Sequence, residues 1–244
     1  MNRRCVLLIS GLTLLTAACG QGGTSGVAGG GTGGPGPDPG GGSGTSPPVP
    51  VTALNLLSPA ELTYYQTVFR PDFAAVSAAA IAEPQTPFGS PVVSGNVTYA
   101  GYMQLIMGNQ LVSANVIGNA TLQLNLSTQA ISGSADGFQG ATTDEYDFAQ
   151  VAHYEGIITI SDGAISQSAD GHYAVGMGVD GVLDNGLNSF AISGDLIGSL
   201  YGAEAEGLRV IGSYTNIHGS MDVTIDGVDT PQDIGIGTIS ALKQ

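Results

Sequence analysis

The densest group of chemically capable side chains is the run T-T-D-E-Y-D at 142–147, where Asp144, Glu145 and Asp147 surround Tyr146. Clustered carboxylate oxygens can meet a basic partner or hold Ca²⁺ weakly, because hard cations take oxygen ligands. The run lacks the glycine and the length of a dedicated calcium loop, so the expectation is a solvated hairpin loop available for binding. Three histidines, His153, His172 and His218, are far apart, and His172 and His218 fall in phase with polar neighbours, on exposed surface. No metal site is assigned to them. The chain contains no G-x-S-x-G, no H-E-x-x-H, no P-loop and no C-x-x-C, so no catalytic residue is assigned. Paired carboxylates for glycoside cleavage find no Trp to form a sugar platform. The expectation is a protein that is not an enzyme.

Cys19 offers chemistry of another kind. Residues 1–18 carry Arg3 and Arg4, an apolar run from Val6 to Leu15, and the small residues Ala17 and Ala18 directly before the cysteine. This is the pattern of a secretory signal peptide, too short to span a bilayer stably. L-L-T-A-A-C-G resembles a bacterial lipobox, with Thr16 where the strictest pattern has Leu; there the thiol receives diacylglycerol, the chain is cut before it, and palmitate can follow. Each buried CH₂ of such chains contributes about 0.8 kcal/mol, so two or three chains anchor stably. Residues 19–52 then follow as a Gly/Pro/Ser tether, including G-G-G-T-G-G-P-G-P-D-P-G-G-G-S-G at 29–44, with no apolar surface to offset chain entropy. A coil of this length spans about 30 Å. Gly20 stands where inner-membrane lipoproteins commonly carry Asp, which favours the outer membrane.

Cys5 leaves with the signal peptide and Cys19 is acylated, so the mature chain has no disulfide and no thiolate metal site. It keeps three cationic residues, Arg70, Arg209 and Lys243, against twenty acids. Nucleic acid and anionic lipid headgroups are poor partners for such a surface, since binding them requires Lys and Arg to replace counterions. A protein with a basic face would be steered towards it.

The elements that must position these groups come in two kinds. Residues 53–90 form a short helical lead-in. Ser58, Pro59 and Glu61 make the capping box S-P-A-E; Pro71 is expected to interrupt the helix and Asp72 to cap a second run. From Val93 the hydrophobic period changes to two: Val97, Tyr99, Met103 and Leu105 alternate with Asn96, Thr98, Tyr102 and Gln104. The same alternation recurs to residue 242, with Asp-Gly or Asn-Gly pairs between many of the runs. Asn185–Gly186 is the clearest hairpin, Asp180–Gly181 falls within or at the end of a strand, and segment 215–233 reads as an extra hairpin. Eight or nine meandering strands hide their edges most simply by closing. The expected fold is all-β: a single antiparallel eight-stranded up-and-down β-barrel over residues 91–244. Alternation alone does not distinguish an apolar interior from the apolar exterior of a transmembrane barrel, but a lipid anchor and a non-aromatic end (Leu242, Lys243, Gln244) favour the former.

Residues 91–105, P-V-V-S-G-N-V-T-Y-A-G-Y-M-Q-L, resemble the first barrel strand of the transferrin-binding protein B family, through Gly95, Tyr99 and Gly101. G-N-A-T-L-Q-L-N-L-S-T-Q-A-I-S-G at 118–133 is similar to the strand that follows in that family. I-S-G-D-L-I-G-S-L-Y-G-A-E-A-E-G-L-R-V-I-G-S-Y at 192–214 resembles its most specific signature, through Gly194, Gly198, Tyr201, Gly202, Ala205 and Glu206. Leu200 and Ala203 depart from the family's Phe and Pro, and Leu208 stands near its second glycine. In size the chain is similar to the single-barrel lipoproteins of the superfamily, such as factor H-binding protein and the small haem-binding lipoproteins. The resemblance implies a surface-exposed outer-membrane lipoprotein that binds a host protein or an iron-containing ligand and works with a TonB-dependent receptor. It implies no bound cofactor, but haem or iron as a ligand brings Tyr154, His172 and Tyr173 forward as ligating types. The signature residues are expected to build a strand connection and not a binding site. The alternative function is a structural envelope lipoprotein that scaffolds periplasmic or surface partners.

Overall fold

Alternation with turn residues between the runs produces a sheet that closes on itself. The computed structural model describes residues 53–90, 95–125, 127–143, 150–215, 219–228 and 233–244. The strands are β1 (Asn96–Gly108), β2 (Ser113–Asn125), β3 (Ala130–Thr143), β4 (Gln150–Tyr154), β5 (Ile158–Gln167), β6 (Tyr173–Asp184), β7 (Ser189–Tyr201), β8 (Gly207–Ser213), β9 (Met221–Ile225) and β10 (Ile234–Lys243). All pairings are antiparallel, and β10 returns to β1 with Tyr99 opposite Lys243 and Gly108 opposite Ile234. The signal segment, Cys19 and the tether lie outside the described residues.

Ten segments fill eight barrel positions. β3 pairs with β4 from Phe138 opposite Tyr154, and with β5 from Ala135 opposite Ile158, so β4 and β5 are one strand interrupted at 155–157. β7 likewise pairs with β8 from Ile197 to Tyr201 and with β9 from Phe190 to Gly194. Segment 215–233 is therefore not an extra hairpin. Its strand, β9, resumes the track of β8 against β7.

The turn pairs divide by context. Asn185–Gly186 forms the β6–β7 hairpin, where the Asn185 side-chain oxygen accepts from the Leu187 and Asn188 amides. Asp180–Gly181 lies inside β6. Asp162–Gly163 and Asp136–Gly137 also lie inside strands, as irregularities with Asp162 at φ +52° and Gly137 at φ +63°. Positive φ serves a bulge as well as a turn, so the dipeptide alone does not choose between them.

The apolar phase faces inward. Tyr99, Met103, Leu105, Leu122, Phe138 and Phe190 are all almost wholly buried in one core. Thr98, Asn115, Asn119, Thr121, Gln123 and Thr159 point out and are exposed. Eight strands enclose a space that side chains alone can fill. An apolar interior and a polar wall reverse the arrangement of a bilayer-spanning barrel.

The lead-in works as a strap. Leu54–Leu57 runs along β4: the Leu57 amide donates to the Val151 carbonyl and the His153 amide to the Asn55 carbonyl. This covers an edge of β4 that extends beyond the end of β6. α1 (Pro59–Tyr64) starts on the expected capping box. Pro71 does not interrupt the helix. A π-helical turn at Tyr65–Phe69 leads directly into α2 (Arg70–Ala79), and such a turn accommodates a proline that lacks an N–H. Asp72 does not act as a cap; its carboxylate accepts from the Tyr102 hydroxyl on β1. Tyr65 and Phe69 cover the outward Tyr102 and Ile117, and Phe69 meets the Tyr102 ring edge-on at 5.4 Å. Beyond α2, residues 84–88 enter between the lower ends of β6 and β7, where the Thr86 amide donates to Leu200 and the Tyr173 amide to Thr86.

Candidate functional site

Among the described residues, those singled out in the sequence do not gather in one place. Asp144, Glu145, Tyr146 and Asp147 lie outside the described residues, in the connection between Thr143 of β3 and Gln150 of β4. His218 also lies outside the described residues. His153 places Nε2 3.3 Å from the Glu61 carboxylate, and His172 places Nδ1 3.5 Å from Asp170. Ser58 holds the Glu61 carboxyl below its usual pKa range, with His153 contributing less; Ser168 does the same for Asp170. His172 is half-buried and not freely exposed, because Pro87 of the strap bridges to it. Tyr173 packs on Phe88 at 4.9 Å. Tyr154 is buried beside Phe190. These three do not converge as haem ligands, and no group of three metal-binding side chains forms among the described residues.

Five of the signature residues, Tyr99, Tyr201, Gly202, Ala205 and Glu206, lie around the β7–β8 connection at the far end of the barrel. Tyr201 and Gly202 open the short β7–β8 connection, with Gly202 at φ +88°. The Tyr99 hydroxyl on β1 donates to the Ala205 carbonyl, and the Lys243 amide on β10 donates to the Glu206 carbonyl. Burial raises the Tyr99 pKa well above the usual phenol range, with the Glu206 charge adding to it, so the group stays a neutral donor. Within the wall, a Cβ at Gly198 would collide with the Arg209 carbonyl, and one at Gly101 with the Ser240 carbonyl. Gly194 comes equally close to the Ser220 carbonyl, whereas Gly95 stands clear of neighbours at φ +121°. Tyr201, Gly202, Ala205 and Glu206 thus lie in a strand connection, while Gly101, Gly194 and Gly198 make close backbone approaches.

The described surface has a cleft elsewhere, which the sequence reading missed. Between Ala135–Ile158 and Phe138–Tyr154 the β3 track and the β4–β5 track run unpaired, and the barrel wall parts. The resulting cleft, of about 650 Å³, is lined by Asn55 and Leu56 of the strap, Gly137–Gln139 of β3, and His153–Gly156. Gln139 Oε1 is buried and completes no hydrogen bond. Burial is the main influence on the Tyr154 phenol and raises its pKa, although Thr142 and Asn185 lie beside it and oppose the shift. Glu155 and Asp184 stand directly opposite each other, exchanging backbone hydrogen bonds of 2.8 and 2.9 Å, and both side chains are exposed. Like charges so placed repel. A signal existed in the sequence: alternation breaks at Y-E-G-I-I, residues 154–158, opposite the Asp136–Gly137 pair.

Comparison with models of known protein families, with characterised proteins and with solved structures finds no match to this chain.

Proposed function

We propose that the chain is a lipid-anchored, non-catalytic binding protein of the bacterial outer membrane. Its barrel is displayed at the cell surface, where loops and wall capture a host or environmental protein or an iron- or haem-bearing ligand. The observation that carries this reading is the filled interior. Tyr99, Phe138 and Phe190 occupy the space in which a wider barrel would hold a small ligand, so recognition falls to the outer surface. The lipobox and tether supply the anchor, and the acidic surface favours a partner with a basic face. Kinship with the transferrin-binding protein B-like lipoproteins is supported by Tyr99 and Ala205, which join two of the resembling stretches through one buried hydrogen bond. An iron-bearing ligand captured this way would pass to a TonB-dependent receptor.

Cys19→Ser and protease shaving test the proposal together. Wild-type chain is expected in the outer-membrane fraction and is expected to be digested on intact cells, while Cys19→Ser leaves the membrane. A Cys19→Ser chain that stays in the membrane overturns the anchor, and a wild-type chain protected on intact cells overturns surface display.

A further inference from the structure

We infer that the cavity between the strap helix and the barrel wall binds a small carboxylate, a singly charged group on a short apolar body. The inference needs the strap and the wall alone and does not depend on the anchor. The cavity holds about 210 Å³ and lies between Tyr65, Arg70 and Phe73 of the helix and Gln104, Asn115 and Ile117 of β1 and β2. It owes its cation to the π-helical turn. In an α-helix, side chains five residues apart point about 140° away from each other. Here the Arg70 amide donates back to the Tyr65 carbonyl across the wider turn, and both side chains reach the same cavity. Burial raises the pKa of the Tyr65 phenol and the Arg70 charge opposes that shift, so the guanidinium stands close to the phenol.

The charge of Arg70 is uncommitted. It forms no ion pair among the described residues, in a chain with twenty acids. Asp72, two residues on, is taken by the Tyr102 hydroxyl, and no acidic side chain among the described residues lines the cavity. Gln104 Nε2 donates to Asn115 Oδ1 at 2.9 Å, which leaves the Asn115 amide nitrogen as a donor in the lining. A carboxylate pairs with a guanidinium through two parallel hydrogen bonds and accepts a further one from an amide. Phe73 and Ile117 supply apolar lining for the body. The formal net charge of −15 chooses among anions, since it opposes a dianion such as phosphate more than a monocarboxylate, and one guanidinium offsets one charge. The volume lies below the lower end of about 300 Å³ for drug-sized ligands, so the body is a few carbons or one ring. Such a carboxylate can come from a free acid or from a glutamate side chain of a captured protein.

The test is an amide NMR titration of the isotope-labelled full chain, at fixed pH and ionic strength, with benzoate and with its neutral isostere benzamide. Benzoate is expected to shift the amides of Phe73, Gln104, Asn115 and Ile117, and to bind about tenfold more tightly than benzamide. Arg70→Gln is expected to remove that preference and to leave benzamide binding unchanged. Asn115→Asp keeps the acceptor for Gln104 but sets a like charge beside the ligand. It is expected to weaken benzoate about fivefold or more and benzamide not at all. A blocked glutamate, acetylated and amidated, separates the two sources: tighter binding than benzoate assigns the site to a protein side chain, and weaker binding assigns it to a free acid. Equal affinity for benzoate and benzamide, a benzoate preference that survives Arg70→Gln or Asn115→Asp, or shifts confined to residues outside the cavity would overturn the inference.

Discussion

Tyr99 shows how a single hydroxyl fixes two distant parts of the chain. Its inward phase was readable from the alternation of Val97, Tyr99, Met103 and Leu105, but its partner was not, because Ala205 lies 106 residues away. Removing the hydroxyl leaves the Ala205 carbonyl without its buried donor. Tyr99→Phe is therefore expected to lower unfolding free energy by about 1–2 kcal/mol, read from urea denaturation with an unchanged slope. A stability equal to wild type would mean that Tyr99 contributes through packing alone. Asp72 teaches the complementary lesson. Its position after Pro71 has the sequence form of a helix cap, yet the Tyr102 hydroxyl claims its carboxylate across the helix–barrel contact. Local pattern named the acceptor correctly and the wrong donor, since the true donor is brought in only by packing.

At the scale of elements, most strands were legible because one face of each is buried and the other is wet, which writes period two directly into the sequence. The interrupted strands were not. A gap in alternation reads the same whether the chain turns back or leaves the wall and returns to the same track, and only the pairing partner decides. The β4–β5 break and the β8–β9 excursion both have this form, and the first of them makes the cleft, so the candidate site was hidden by the same ambiguity. The acidic connection at 144–147 stood out by composition, which marks chemistry but not convergence. The helical strap was legible through its capping box, while its docking was not, because outward residues such as Tyr102 and Ile117 look like ordinary surface positions until a helix covers them. Phe69 is the centre of that contact, with Tyr65 and Tyr102 against it. Phe69→Ala is expected to destabilise the fold by about 3 kcal/mol and to speed hydrogen exchange in residues 59–79 more than in β1. Uniform acceleration across the barrel would show that strap and barrel open as one unit.

The whole molecule is held against its own charge. Twenty acids face five lysines and arginines, and among the described residues neither Arg70, Arg209 nor Lys243 pairs with a carboxylate. Net repulsion of this kind opposes compactness and is screened by salt. The melting temperature is expected to rise by roughly 3–5 °C on going from low salt to about 0.5 M NaCl; a fall would mean that attractive pairs outweigh the repulsion. Closure of the sheet pairs β10 with β1, while the strap joins the barrel only along β4, by a few backbone hydrogen bonds. A pull on the chain ahead of Ala53 therefore loads the strap before any barrel strand. Tension of a kind that shear flow or a moving partner exerts would peel Leu54–Leu57 first, lengthening the connection while the barrel keeps its shape, so that the weakest link sits where its failure is reversible.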